Sequence, residues 1–262
     1  MVRITGPSGV GKTALCRQFM EELTGRQTAI VLEGRCCERE ILPFKAADQL
    51  IDSLASWLKA GADAELLSAV ADELAFAARL FPTLQRVPAI AEAFPRVDAS
   101  AHAPEMKQRA FAALRELMSR MTGRHPAVLF VDDLQWGDAD SPALFAELLR
   151  GPSGPRVLFL AAFRDESEAV SPWLQSWRDQ ERQAGFAWSG LEVKVEPLPP
   201  HDAQELAVRL LRDSARSPLA SNRAETIARE SSGHPLFIRQ LLSSQTDAPA
   251  SEYVGQAFQP AL

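Results

Sequence analysis

Two adjacent carboxylates, Asp132 and Asp133, end the apolar run Ala127 to Val131 in the stretch "HPAVLFVDDLQWGDADS". Carboxylates at the end of a buried strand can ligate a hard cation or hold a water for proton transfer, and two side by side need a positive partner. That partner is supplied upstream by "GPSGVGKT", Gly6 to Thr13, which has the spacing of a phosphate-cradling loop: Gly, any four residues, Gly, Lys, then Ser or Thr. Gly6, Gly9 and Gly11 let the backbone through Pro7, Ser8 and Val10 curl so that successive N–H groups face phosphate oxygens. The helix opening at Lys12, Thr13 and Ala14 adds its partial positive charge. Lys12 is expected to reach the β- and γ-phosphates of ATP, and the Thr13 hydroxyl to ligate Mg²⁺. Asp132, at the end of a strand expected beside the loop's own strand, is expected to hold the same ion.

Asp133 then stands where a carboxylate orients or polarises the attacking water, unless it only caps the "LQWGDAD" turn. Arg164 ends the next apolar run, "VLFLAAFRDE". Ligands of open α/β sheets bind outside the carboxyl ends of strands, so Arg164 is placed to sense the γ-phosphate or stabilise transferring charge. An ion pair with Asp165 or Glu166 is the competing account. In "ESSGHPLFIRQLL", Gly233 and Pro235 punctuate two helices, which leaves His234 unexplained; His234 and Pro235 are expected over the nucleotide. His102, His125 and His201 have no evident role, and Trp136 reads as packing behind the Asp pair.

These residues need strands and helices in alternation to hold them. A short strand over "MVRIT" precedes the loop and a helix over 12–23 follows, with a second strand at 28–34. Helical spacing continues over 45–81, with Leu50, Ile51, Leu54, Trp57 and Leu58 on one stripe, then gives way to a Pro-rich connection with short helical turns. An amphipathic helix over 105–122 carries Met106, Ala110, Ala113, Leu114, Leu117, Met118 and Met121 as core packing. Strands follow at 127–132, 156–163 and 191–198, with helices at 141–150 and from 172. Helices alone remain over 201–214, 222–232 and 235–244. The pattern implies an α/β fold: a three-layer αβα P-loop NTPase core with a parallel sheet over 1–196, a small helical lid over 197–245, and a tail over 246–262.

Composition is that of an ordinary globular chain, with 46% hydrophobic and 24% charged residues, and the net charge of −6 leaves no chain-wide footprint for nucleic acid. The three cysteines, Cys16, Cys36 and Cys37, form neither a disulfide framework nor a zinc spacing and read as packing residues in a reducing, cytoplasmic setting. No apolar run is long enough to span a bilayer and no signal-peptide pattern opens the chain. With Asn222 its single asparagine, the sequence has no Asn-Lys-x-Asp guanine-reading motif, which disfavours a GTPase. A guanylate-kinase-like phosphotransferase remains an alternative, since "GPSGVGKT" resembles that loop; the long helical segment between the second strand and the Asp-Asp strand argues against it. A nucleotide-binding scaffold without turnover is a further alternative.

Taken in order, "GPSGVGKTAL", "EGRCCERE-ILPFKAADQLID", "VLFVDDLQWGDADS", "AAFRDE" and "SGHPLFI" resemble the AAA-like ATPase modules of signal-transduction NTPases with numerous domains. These modules are similar to the origin-recognition ATPases and sit inside large transcription regulators and multidomain serine/threonine protein kinases. The resemblance covers roughly residues 1 to 244. It implies that Gly6 to Thr13 is the Walker A loop, Asp132 and Asp133 are Walker B, Arg164 is the sensor arginine, and Gly233 to Pro235 form the lid turn. It also implies a switch, closed with ADP, open and self-associating with ATP, and reset by slow hydrolysis. Arg239 departs from the acidic residue that relatives often carry. No winged-helix, repeat or protein-kinase motif follows the lid, so sensor and output domains are expected outside this chain. Arg150, Arg156 and Arg178 are unranked candidates for an arginine offered to a neighbouring subunit.

Overall fold

In the computed structural model, which describes residues 1–38, 43–61, 64–96, 103–151, 154–165, 171–184, 190–213 and 220–244, the apolar run is strand β3 (Ala127–Asp132), buried at every residue. A strand with both faces covered belongs inside a parallel sheet whose crossovers place helices on each side. With β1 (Val2–Thr5), β2 (Ile30–Arg35), β4 (Val157–Ala162) and β5 (Leu191–Lys194), the sheet order is β2-β3-β4-β1-β5, and every pairing is parallel. The fold is α/β, with the parallel sheet of a P-loop NTPase core. The expected tail at 246–262, His102 and Glu166 lie outside the described residues.

One expectation is corrected here. The strand that ends in Asp132 is not beside the loop strand, because β4 lies between β3 and β1. Strand neighbours are chosen by how crossover helices cover the two faces, which the apolar runs do not encode. Thr13 still reaches Asp132, because it sits past the loop at the start of α1 (Lys12–Gly25) rather than at the end of β1.

Alternation along β3 and β4 divides the core. Val128, Phe130, Leu160 and Ala162 face α1, where Cys16 and Met20, one helical turn apart, close a small cluster with Ile4. Leu129, Val131, Phe159 and Ala161 face a larger cluster built from α2 (Lys45–Gly61), α3 (Ala64–Leu80), α5 (Ala103–Met121), α6 (Ser141–Leu149) and α7 (Pro172–Ala184), with short α4 (Pro88–Ala93) completing the helices. Helices α2 and α3 fill the described part of the expected helical stretch 45–81, and residues 62–63 lie outside the described ones. Of the stripe on α2, Leu50, Ile51, Leu54 and Leu58 are buried and Trp57 is half-buried against the same core. The Pro-rich connection is well packed: Phe81, Leu84, Val87 and Ile90 are fully buried. Trp136 packs on the large cluster as expected, whereas Cys37 is exposed and not a packing residue.

The outer edge of β2 is covered by α2, whose Gln49 and Ser53 side chains accept the N–H groups of Arg35 (2.7 Å) and Glu33 (3.4 Å). Sharing out those otherwise unpaired donors protects an edge strand and fixes the backbone of Arg35. At the other edge β5 pairs, among the described residues, with β1 alone and ends at Lys194, shorter than expected.

The chain divides into two compact units, Met1–Pro7 with Lys12–Val195, and Ser8–Gly11 with Glu196–Leu262. The second unit contains α8 (Pro200–Asp213), α9 (Ala220–Glu230) and α10 (Pro235–Ser244). Ala203, Ala207 and Leu211, one turn apart on α8, pack on Ala224, Ile227, Ala228 and Ile238. Helix α9 closes with the N–H of Gly233 on the Ala228 carbonyl and that of Ser232 on the Arg229 carbonyl, the two bonds of a Schellman motif. The left-handed stop residue is therefore Ser232, at φ 49°, and Gly233 after it is also left-handed, at φ 74°. Gly233 is needed for another reason: a Cβ there would lie 2.1 Å from the Leu198 carbonyl oxygen.

Candidate functional site

Strand β1 delivers the chain to a loop whose Gly6, Gly9 and Gly11 all have positive φ, at 148°, 78° and 112°. That backbone leads directly into α1, so the helix N-terminus opens at Lys12. The Lys12 side chain is buried, and its ammonium donates to the carbonyls of Gly6 (2.7 Å) and Pro7 (2.8 Å). Burial pulls the Lys12 pKa below its ordinary value; Asp133 and Asp132 oppose that shift, and the Arg164 charge adds to it.

Thr13, next on α1, donates its hydroxyl to Asp132 Oδ2 at 2.7 Å, while Asp132 Oδ1 accepts the N–H of Asp133 at 3.0 Å. Both oxygens of this buried carboxylate are thus fixed, one of them beside the Thr13 hydroxyl. Octahedral ligands at about 2.1 Å from Mg²⁺ stand about 3.0 Å apart, so the Thr13 and Asp132 oxygens, 2.7 Å apart, lie close to the separation of two neighbouring ligands of one such ion.

Asp133 begins a short 3-10 turn, Leu134–Trp136, in left-handed conformation at φ 51°, and its side chain makes no capping bond to that turn. The capping account therefore gives way to a network. Arg35, from the end of β2, donates to Asp133 Oδ2 through Nε (3.0 Å) and Nη2 (2.7 Å). Gln135 Nε2 donates to Asp133 Oδ1 at 2.9 Å, and Arg164 Nε stands 3.4 Å from the same oxygen. Burial alone would push the Asp133 carboxyl up; the Gln135 and Arg35 hydrogen bonds and the Arg164 and Arg35 charges overcome it and hold the carboxyl below its ordinary value. Arg35 is raised in turn by its bond to Asp133. Arg164 therefore pairs with Asp133, and its own N–H donates to Gln135 Oε1 at 3.2 Å.

Lys12, Thr13, Asp132, Asp133 and Arg164 come together in the first unit. Arg35 and Gln135 belong with them and were not singled out from sequence. Arg35 stands in register with Asp132 across the β2–β3 pairing, a relation visible only once those strands are known to be neighbours. Among the residues considered for a role between subunits, Arg156 is engaged, donating to the carbonyls of Thr122 and Gly123. Arg150 forms a surface pair with Glu147 at 3.5 Å.

In the second unit, the loop tip meets the turn that holds His234. The N–H of Leu236 donates to the Gly9 carbonyl at 3.3 Å. A Cβ at Gly9 would lie 2.7 Å from Leu236 Cβ and 3.1 Å from His234 Cε1, so the position excludes a side chain by space as well as by φ. His234 receives the Ile238 N–H on its carbonyl and so caps α10, with Pro235 in the first helical position. Its ring stacks on Phe237 at 4.5 Å, and its buried Nδ1 has no hydrogen-bond partner among the described residues.

Residues 1–160 match the model of the AAA ATPase domain family. No curated protein matches the chain. Similar solved structures include a chain of Drosophila ORC bound to DNA, at 12% identity and a TM-score of 0.36, covering 76% of this chain and 84% of that one. Another is from Drosophila ORC bound to AT-rich DNA and Cdc6, at 12% identity and a TM-score of 0.37, covering 94% of this chain and 86% of that one. Among the described residues, no helix is long and apolar enough to cross a membrane.

Proposed function

Because this chain belongs to the AAA ATPase domain family, we propose that it binds Mg·ATP and hydrolyses it slowly, as the regulatory switch module of a larger cytoplasmic signalling protein. The observation that carries this is the convergence on Asp133: a carboxylate beside Thr13–Asp132 and Lys12, held ionised by Arg35, Gln135 and Arg164. A carboxylate held toward its charged form is a weaker base, which favours slow turnover over fast.

In this reading the N–H groups of the Gly6 to Thr13 loop and the Lys12 ammonium bind the phosphates, with Lys12 exchanging its Gly6 and Pro7 carbonyls for phosphate oxygens. Thr13 and Asp132 would hold Mg²⁺, which would supply positive charge to offset that of the bound phosphates. Asp133 orients the attacking water. The water's oxygen bonds to the γ-phosphorus as the bond from that phosphorus to the ADP oxygen breaks, and the water's proton passes to Asp133. Arg164 offsets charge on the γ-phosphoryl group. His234 and Pro235 stand beside Gly9 and report to the second unit on the occupied loop. Self-association with ATP but not ADP, and sensor or output domains outside this chain, complete the switch.

The test is phosphate release and nucleotide binding with ATP, with GTP, and with GMP plus ATP, for the wild type and Lys12→Ala. Slow release from ATP alone, with binding lost in the Lys12 variant, is the expected result. Rapid phosphoryl transfer to GMP would replace the switch by a metabolic kinase.

A further inference from the structure

Gln135 is 3% exposed, and both ends of its amide are engaged. Its Oε1 accepts the Arg164 N–H, which can only donate, so its Nε2 must be the group facing Asp133 Oδ1. The reversed amide would set a carbonyl oxygen against a carboxylate and a donor against a donor. The orientation is therefore fixed by chemistry rather than by choice of assignment.

The two oxygens of Asp133 are consequently held in unlike ways. Oδ1 is held from within, by a buried amide anchored to the backbone at the end of β4. Oδ2 is held from outside, by the Arg35 guanidinium on a side chain that is 62% exposed. An exposed, flexible donor can be drawn away at little cost, whereas a buried amide with two satisfied partners cannot. When Arg35 turns aside, Oδ2 becomes the oxygen open to water, and Oδ1 keeps the carboxylate in place.

We propose that Gln135 is a positioning residue for hydrolysis: it ties Asp133 Oδ1 to the Arg164 backbone, so that strand β4 sets the direction in which Oδ2 faces the water. The inference rests on the reading of Asp133 as the group that orients that water. It explains why a polar side chain occupies a site buried enough for an apolar one, where an unpaired amide would be costly.

The experiment compares Gln135→Met, Gln135→Glu and Gln135→His with Asp133→Asn in the full chain, reading kcat, KM for ATP, the pH profile of kcat, ATP affinity and Tm. Gln135→Met keeps the volume and loses both bonds; kcat is expected to fall roughly tenfold to a hundredfold with ATP affinity unchanged. A neutral imidazole donates on one side and accepts on the other, so Gln135→His is expected to retain turnover. In Gln135→Glu the new carboxyl can donate to Asp133 only while protonated, so turnover falls as pH rises, a limb the wild type lacks. A purely structural amide would lower Tm and ATP affinity together and leave the shape of the profile unchanged, which overturns the proposal. So does a kcat within twofold of wild type in both Gln135→Met and Gln135→Glu. Asp133→Asn separates the two levels: if it abolishes turnover while the Gln135 variants behave as wild type, only the positioning role fails. If Asp133→Asn turns over normally, the reading of Asp133 fails and takes the inference with it.

Discussion

The end of β3 and the His234 turn are specified by different forces. At Asp132 and Asp133 every carboxylate oxygen has a donor: the Asp133 N–H, the Thr13 hydroxyl, the Gln135 amide and the Arg35 guanidinium. At His234 hydrogen bonds run through the backbone alone and the side-chain contacts are steric, a glycine with no room for a Cβ and a stacked ring, and the imidazole Nδ1 has no partner among the described residues. A region held by charge answers to pH and to the loss of single atoms. A region held by shape answers to volume.

The largest expected effect lies in the first region. Asp133→Asn, which tolerates the left-handed backbone at φ 51°, should lower phosphate release about 10²- to 10⁴-fold while ATP affinity, measured by titration, stays within a few-fold. The next is a volume effect in the second. Gly9→Ala puts a methyl 2.7 Å from Leu236 at a φ of 78°, and should cost about 1–3 kcal/mol in thermal or denaturant unfolding. A loss under half a kcal/mol there would mean that the turn yields easily and that shape does not specify it.

Arg35→Ala is a smaller change with a sign that can be worked out. The Asp133 carboxyl lies below its ordinary value, so the stability it contributes is present above the unfolded carboxylate range and is lost as pH falls through the folded pKa. Removing Arg35 takes away two hydrogen bonds and a charge that lower that pKa. The acid limb of the turnover profile should therefore move to higher pH, and the stability advantage near neutrality should shrink. An unmoved limb would show that Arg35 does not govern Asp133. The smallest effect is expected for Phe237→Ala, which removes a half-exposed ring from His234 and should cost about 0.5–1.5 kcal/mol with no change in the pH profile of turnover.

Much of the frame was legible in residue order. A glycine-rich loop between strand and helix, and apolar runs ending in Asp132 and Arg164, follow from local chemistry that the chain cannot hide. What escaped was set by tertiary pairing. That β4 separates β3 from β1 depends on how helices cover the faces, and without the order β2-β3 nothing directs Arg35 toward Asp133. Gln135 was readable only as part of a run, because its two partners come from β3 and β4 together. At the α9 stop, Gly233 punctuates the helix together with Ser232, which shares its left-handed backbone, and the close approach of Gly233 to Leu198 could not be read from the sequence.

The most direct test is single-turnover phosphate release from Mg·ATP at saturation, for wild type beside Asp133→Asn. Slow release by the wild type, and none above background in the variant despite full ATP occupancy, is the expected result. Equal rates in the two proteins would contradict the central claim that the network at the end of β3 exists to hold Asp133 for hydrolysis.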